Sequence, residues 1–450
     1  MTFASKFEKI FKSILPSPFT IAILLTIVTF FLALVSTESS AIDIVTYWEK
    51  GIWNNSLLVF AFQMMLMLVL GHTLALTNPI NKLIHKVTKY CNNTANAAAI
   101  ITFLTLLVSL FNWGLGLIFG AIFARKVGEH ATENNIKLNY PLIGAAGYSG
   151  LMVWHGGLSG SAPIKVAESG HLTDMFEGAQ FNVPEIISLS ETTFSQMNIA
   201  ISIILLILLP LFMFLIGKKN NGKNINIQAE EKKIKKDNVT GAEKMDHSKI
   251  LSITISICIL SYCLYKSLIL PENPSLSVIN PNFINLCLIG LGLLLHSSFF
   301  NFTRAINIAI NGASGILIQF PLYFGIMGIM KESGMVSLLS DFFVNISNPT
   351  TFPIFTFISA GIVNIFVPSG GGQWAVQGPI IIEAASTIGV SFSKSIMALA
   401  YGDQLTNMLQ PFWALPLLGI TGLKAKEILP YTLYLFLLGG VIFISGLLFF

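Results

Sequence analysis

Five stretches of this chain, residues 19–35, 56–76, 199–217, 250–265 and 431–450, contain no lysine, arginine, aspartate or glutamate. Each approaches or reaches the roughly 20 residues that a helix needs to cross the hydrocarbon core of a bilayer. Charged residues make up only 11% of the chain and apolar residues 53%, where a soluble domain would carry roughly 25% charge. So few charges could not keep the surface of a soluble protein of this length wet. The chain is read as an all-α, multi-pass integral membrane protein.

The net charge of +4 matters less than its distribution. Lys and Arg mark cytoplasmic loops, and the densest cluster lies in residues 218–249, with Lys218, Lys219, Lys223, Lys232, Lys233, Lys235, Lys236 and Lys244. That stretch is polar and aperiodic, a cytoplasmic linker between two halves. Lys6, Lys9 and Lys12 place the N-terminus in the cytoplasm, and no small-residue cleavage site follows, so the first apolar run is expected to be retained as a helix. Lys82, Lys86 and Lys89 also lie inside, whereas the loop with Glu38, Asp43 and Glu49, and the segment from Glu168 through Asp174, Glu177 and Glu185 to Glu191, read as external. Such a pattern suits a bacterial-type inner membrane. The four cysteines, Cys91, Cys258, Cys263 and Cys287, show no metal-like or disulfide-like spacing and read as packing residues.

Residues 96–125 start and finish among inside-marking charges, so they must turn within the membrane. Their centre, Phe111-Asn112-Trp113-Gly114-Leu115-Gly116, supplies the Asn and Gly of a turn. Residues 351–385 repeat the event around Phe366-Val367-Pro368-Ser369-Gly370-Gly371-Gly372-Gln373. Each predicted re-entrant hairpin precedes a broken helix: residues 140–164, interrupted at Trp154-His155-Gly156-Gly157-Leu158-Ser159-Gly160, and residues 395–422, interrupted near Gly402-Asp403-Gln404-Leu405-Thr406-Asn407 and again at Pro411. The spacing from Asn112 to Ser369 equals that from Trp154 to Pro411. Opposite placement of the hairpin ends makes the halves inverted copies: residues 1–217 form the first repeat, 218–249 the linker, 250–282 an extra linking transmembrane helix and 283–450 the second repeat. Paired interruptions at matching positions point to the binding site of a secondary transporter.

The motifs Asn112-Trp113-Gly114-Leu115-Gly116, Trp154-His155-Gly156-Gly157-Leu158-Ser159-Gly160, Pro368-Ser369-Gly370-Gly371-Gly372-Gln373-Trp374 and Tyr401-Gly402-Asp403-Gln404 resemble those of the bacterial short-chain fatty acid transporter family. That family includes the acetoacetate and butyrate carrier of the Ato system and is similar to the broader ion-transporter superfamily. The resemblance covers nearly the whole chain. It implies symport of short-chain fatty acids or related small monocarboxylates, an elevator-like motion and a homodimer. Sodium-coupled dicarboxylate relatives carry Ser-Asn-Thr at both hairpin tips, whereas here the tips read Asn112-Trp113-Gly114 and Ser369-Gly370-Gly371, so sodium and proton both stay open as the coupling ion.

A carboxylate in mid-membrane needs its charge balanced, and helix N-termini offer free N–H groups and partial positive charge. The expected substrate-binding residues are Asn112, Gly114, Trp154, His155, Gly156, Ser369, Gly370, Gly371, Gly372, Gln373 and Trp374. Ser369 and Gln373 are expected to donate side-chain hydrogen bonds. Trp113, Trp154, Trp374 and Trp413 stand beside the four breaks as an apolar wall for a short acyl chain. Asp403, with Thr406 and Asn407, and His155 are the ion-coupling candidates; a protonated His155 pairing with substrate and a neutral, hydrogen-bonded His155 are both open. His72 and His296 read as interhelical packing residues. Beyond a sodium site no metal is expected, and no cofactor or nucleic acid; a small carboxylate and lipid are the partners. No nucleophile or metal cluster supports an enzyme, and no continuous polar face supports a channel. A dicarboxylate or amino-acid carrier is the rival within transporters.

Overall fold

The computed structural model describes residues 16–176, 183–219, 222, 223, 225–227, 240–270 and 280–450. Lys6, Lys9, Lys12, Glu177 and the linker lysines Lys232, Lys233, Lys235 and Lys236 lie outside the described residues. Among the described residues the protein is all-helical, with one isolated antiparallel bridge between Leu138 and Lys223. Seven of the described helices are long and apolar enough to cross a membrane. Several present large apolar side chains outward, such as Leu24, Ile27 and Phe31 on the first and Ile203, Ile207 and Leu211 on another. Such faces need hydrocarbon to cover them, and the protein is a multi-pass membrane protein.

Helices α1 (Pro18–Ser36), α2 (Ala41–Ile52), α3 (Asn55–Ala75) and α4 (Asn78–Thr88) lead into two helices that meet at a tip, α5 (Thr94–Phe111) and α6 (Trp113–Glu133). An interrupted segment follows: α7 (Tyr140–Tyr148), short turns at Ser149–Met152 and Trp154–Gly156, and α8 (Ser161–Val166). Then come α9 (His171–Met175) and the long α10 (Gln196–Lys219). Past α11 (Lys249–Leu264), α12 (Pro281–His296) and α13 (Phe299–Ala309), a similar succession returns. It runs through α14 (Ser314–Glu332), α15 (Met335–Asn345), the tip pair α16 (Phe352–Phe366) and α17 (Gly370–Ile388), the interrupted α18 (Phe392–Thr406) and α19 (Pro411–Thr421), and α20 (Ala425–Phe449).

Helix starts follow the local sequence. Ser17 caps α1 with Pro18 in its first turn, and Ser40 and Asp43 form a reciprocal capping box on α2. Asn54, Asn93, Asn139, Asn280, Ser298 and Ser391 each accept an amide of the helix they open. These side chains satisfy donors that a helix in lipid cannot leave to water.

Three expected boundaries shift. The second arm of the first tip pair runs on to Glu133, because Arg125 and Lys126 do not mark its end. Glu129 pairs with both, at 3.0 and 2.7 Å, and Arg125 Nη1 also donates to the Ile420 carbonyl at 2.7 Å. The first interruption is wider than expected, occupying the stretch between Tyr148 and Ser161. The second is narrower: α18 continues through Gly402 and Asp403 to Thr406, and the break lies at Asn407–Leu409 and Gln410. Gly402 does not end the helix. Any Cβ there would run into the Phe357 carbonyl oxygen, so glycine is what lets α16 and α18 pack backbone to backbone.

Candidate polar site where the tips and breaks converge

At the first tip a single residue separates two helices. Asn112 is extended (φ −152°, ψ 125°); its N–H donates to the Val108 carbonyl, ending α5, and its Oδ1 accepts the Leu115 N–H at 3.0 Å, opening α6. The first break docks directly on this turn. Trp113 N–H donates to Ser159 Oγ at 2.9 Å, and Leu158 N–H donates to the Leu110 carbonyl at 2.8 Å. At the second tip, Ser369 caps α17 by accepting the Gly372 N–H at 3.2 Å. Gly370 presses against the far side of the same break: a Cβ built there would lie 2.7 Å from Trp154, 3.0 Å from His155 and 2.9 Å from Asp403 Oδ2. Both tips and both breaks therefore meet in one place.

The breaks satisfy one another's backbone. Gln404 Oε1 accepts the His155 N–H at 2.9 Å, and the Tyr148 hydroxyl donates to the Asn407 carbonyl at 2.8 Å. Asn198, on α10, donates to the Gly156 carbonyl at 2.8 Å and accepts the Tyr401 hydroxyl at 3.0 Å. Irregular backbone at membrane depth requires such partners.

His155 and Asp403 are fully buried, with His155 Nδ1 2.7 Å from Asp403 Oδ2. The two atoms are close but not aligned as a hydrogen bond. His155 Nε2 accepts the Ala162 N–H at 3.1 Å. A ring nitrogen that accepts carries no hydrogen, so this contact fits an imidazole whose remaining proton sits on Nδ1, on the side of Asp403. Of the two states open for His155, the geometry fits the neutral one, bonded to an amide of the broken segment. Around the Asp403 backbone, Asn364 Nδ2 has three acceptors at hand: the Asp403 carbonyl at 2.7 Å, and Thr406 Oγ1 and Asn407 Oδ1 at 2.9 Å each. An amide nitrogen has only two hydrogens to give them. Asn364 Oδ1, Gln373 Oε1, Gln410 Oε1 and Asp403 Oδ2 are buried acceptors with no hydrogen bond within the described residues.

Beside these oxygens lies an aromatic wall. Trp113 sits between Trp154 and Trp413, ring centroids 6.0 and 5.1 Å away, and Phe60 of α3 packs on Trp113 and Trp413. The indole N–H groups of Trp154 and Trp413 are buried without a hydrogen-bond acceptor among the described residues.

The remaining expected site residues divide. Gly371 borders open space, and Gly372 faces Met327. Gly114 packs on Met67, and Gly156 on Asn198, so both serve close approach. Trp374 points away, donating from Nε1 to His171 Nε2 at 2.9 Å within a separate core under α8 and α9. Gln373 spends its amide hydrogens on the Ala360 carbonyl and Gln377 Oε1, both at 2.9 Å, and offers the site only an oxygen. Of the packing histidines, His296 Nε2 lies 2.9 Å from the Thr73 carbonyl. Asn364, Asn198, Gln404 and Gln410 were not assigned roles from sequence. Their signal there is an uncharged amide inside or beside an apolar run, which also fits ordinary interhelical bonding. Among the described residues no group of three or more His, Cys, Asp or Glu could hold a metal ion.

Comparison with known proteins adds the lineage. Residues 2–450 match the family described as short chain fatty acid transporter. A protein of Escherichia coli strain K12 named "Putative short-chain fatty acid transporter" is 37% identical over 441 residues, covering 96% of each chain. A protein of the same name from Haemophilus influenzae strain Rd is 38% identical, covering 100% of this chain and 98% of its own. Among solved structures, the MtrF protein of Neisseria gonorrhoeae, described within a class of antimetabolite efflux pumps, aligns over 98% of this chain and 97% of its own, at 12% identity and a TM-score of 0.44. That likeness is too distant to carry an argument. On the full-length family match and the two close relatives, the chain belongs to the short-chain fatty acid transporter family.

Proposed function

We propose that the protein is a secondary active transporter carrying short-chain monocarboxylates, such as acetoacetate and butyrate, across the cytoplasmic membrane together with a cation. The observation that carries this reading is the pair of buried indole N–H groups, Trp154 and Trp413, left without acceptors where the two tips and two breaks converge. A buried donor without a partner calls for a missing acceptor, and a carboxylate supplies one. The first amides of α17 at Gly370 and Gly371 add N–H groups of a helix N-terminus, and the Ser369 hydroxyl can donate. The rings of Phe60, Trp113 and Phe412 offer an apolar wall to a short acyl chain.

The coupling proposal follows from charge. With His155 neutral, an ionised Asp403 leaves one negative charge beside the site. A second anion roughly 5 Å away would be opposed by about 3 kcal/mol at an effective dielectric near 20. A proton on Asp403, or a sodium ion among the surplus oxygens of Asp403, Thr406, Asn407 and Asn364, removes that opposition. Substrate and cation would then bind together. A dicarboxylate would bring still more negative charge, which favours the monocarboxylate over the rival substrate classes.

In this reading the tip pairs are re-entrant hairpins, residues 1–217 and 283–450 are inverted repeats, and the tip-and-break unit moves as an elevator in a homodimer. The recurring helix succession supports the repeats. Arg125 bonding Ile420, and the Leu138–Lys223 bridge, bring α6, the end of α19 and the start of the lysine-rich linker to one face, which supports a cytoplasmic linker; a cytoplasmic N-terminus rests on Lys6, Lys9 and Lys12 in the sequence. The test is uptake of C2–C6 acids into proteoliposomes under separate sodium and proton gradients. Saturable, mutually competitive uptake driven by one gradient is expected; no uptake of any of these acids would refute the substrate assignment.

A further inference from the structure

Opposite the Arg125 face, a cavity of about 350 Å³ opens between α2, the start of α3, the end of α14 and the second tip pair. Ser56, on its rim, and His72, which lies within electrostatic reach of Arg125 and Lys126, are both on α3, about 24 Å apart at 1.5 Å per residue. The cavity is lined differently at its two ends. Its polar part carries the exposed Lys50 and Lys331, with Asn54 and Ser56; its apolar part is formed by side chains such as Phe324, Met327, Val363 and Val367. Among the described residues Glu332 is the one carboxylate in the lining, 4.0 Å from Lys331, so two of the lining cations face one anion. The wall on the hairpin side is the first turns of α17, including Gly372 and Gln373. Met327 stands between cavity and tip: its Cε would lie 3.2 Å from a Cβ on Gly372. A thioether side chain with three rotatable bonds is suited to moving aside.

We infer that this cavity is a capture vestibule in which Lys50 and Lys331 hold the carboxylate of a short-chain acid, its acyl chain resting on the apolar part, before it passes the second tip. The size lies at the lower end of the range for small-molecule sites, roughly 300–1,000 Å³, and a cationic end joined to an apolar one matches an amphipathic anion. The inference rests on the monocarboxylate reading above and deepens it. Exposed lysines act through a screened field, so their effect belongs in the half-saturating concentration and depends on salt.

Two measurements separate the vestibule from the overall function. In proteoliposomes at low ionic strength, Lys50→Gln with Lys331→Gln should raise the half-saturating butyrate concentration about two- to fivefold with the maximum rate kept. The difference should shrink toward none in roughly 0.5 M salt, and Lys50→Arg with Lys331→Arg should behave as the parent. An unchanged half-saturating concentration in the Gln variant, or a fall in maximum rate alone, overturns the assignment. In detergent, without any need for transport, Ser56→Cys should react faster with an anionic than a cationic thiosulfonate of equal size, and saturating butyrate should slow it. Both effects should disappear with the two Gln substitutions. Protection without uptake would refute the transport reading and leave the vestibule standing; uptake without protection would refute the vestibule.

Discussion

Gly370→Ala places one methyl group where the second tip meets the first break and α18. Its Cβ would lie 2.7 Å from Trp154, 2.9 Å from Asp403 Oδ2 and 3.0 Å from His155, whereas carbon atoms pack best at roughly 3.5–4.0 Å. Two of these neighbours, His155 and Asp403, are fully buried and face each other, so neither can retreat freely. Inserting a methylene-sized group into a well-packed site costs about 1–3 kcal/mol, or about 5- to 150-fold in the population of the closed tip at roughly 1.4 kcal/mol per decade. Helix propensity acts in the opposite direction: glycine to alanine within a helix is worth up to about 1 kcal/mol in favour of alanine. The expected outcome is thus a lower melting temperature in detergent and a loss of butyrate uptake of about tenfold or more. Gly371→Ala is the internal control, since nothing lies within 4 Å of its Cβ. It should melt at or above the parent temperature yet weaken uptake, because the space it fills is the space assigned to substrate. Normal uptake and raised stability in Gly370→Ala would show that the tip does not close on Trp154, His155 and Asp403.

Other substitutions probe separate parts of the argument. Asp403→Asn removes the ionisable carboxyl and should abolish gradient-driven accumulation while sparing substrate exchange; unchanged accumulation would remove Asp403 from coupling. Trp154→Phe with Trp413→Phe should weaken butyrate binding, read by isothermal titration, by about tenfold or more, since a hydrogen bond to a charged group is worth about 1.5–3 kcal/mol. The same pair should leave thermal stability equal or higher, because two unpartnered buried donors disappear; lowered stability with unchanged affinity would contradict their assignment to substrate. Asn112→Ala removes the cap on α6 and should destabilise the protein by about 0.5–2 kcal/mol, measured by denaturant titration in detergent, and the uncharged cap of Asn112→Ser should recover most of that loss.

Much of this architecture is legible in one dimension. Uncharged runs long enough to cross a bilayer leave little choice of solvent, and a glycine cluster within such a run favours a turn or a break, whereas a lone Pro does not: Pro210 and Pro321 lie inside continuous helices. The turns at Asn112 and Ser369 are legible because Asn and Gly at the first, and Pro368 with three consecutive Gly at the second, interrupt otherwise apolar stretches; that both residues cap a helix is seen in the structure. Asp403 stood out because an aspartate inside a membrane run is costly unless it is used.

Direction and partnership were not legible. A glycine beside a break can turn the chain, admit a ligand or let two helices touch, and the residue type is the same for all three. Gly402 and Gly114 proved to be contact glycines and Gly371 borders open space, a distinction set by what lies across the gap. Trp374 occupies the same kind of position as Trp154 in the sequence, yet it faces His171 while Trp154 faces the centre. Asn364 gave no sign of its place among Asp403, Thr406 and Asn407, because its partners are on another helix. The sequence by itself determined the membrane class and the regions in which the helices are interrupted, but not the edges of the two breaks, since hydropathy and capping are local properties. Only the tertiary structure decided that the two tips and two breaks meet, that His155 Nε2 is already occupied and that the Trp154 and Trp413 N–H groups have no acceptor among the described residues, since hydrogen-bond satisfaction depends on atoms far apart in the chain.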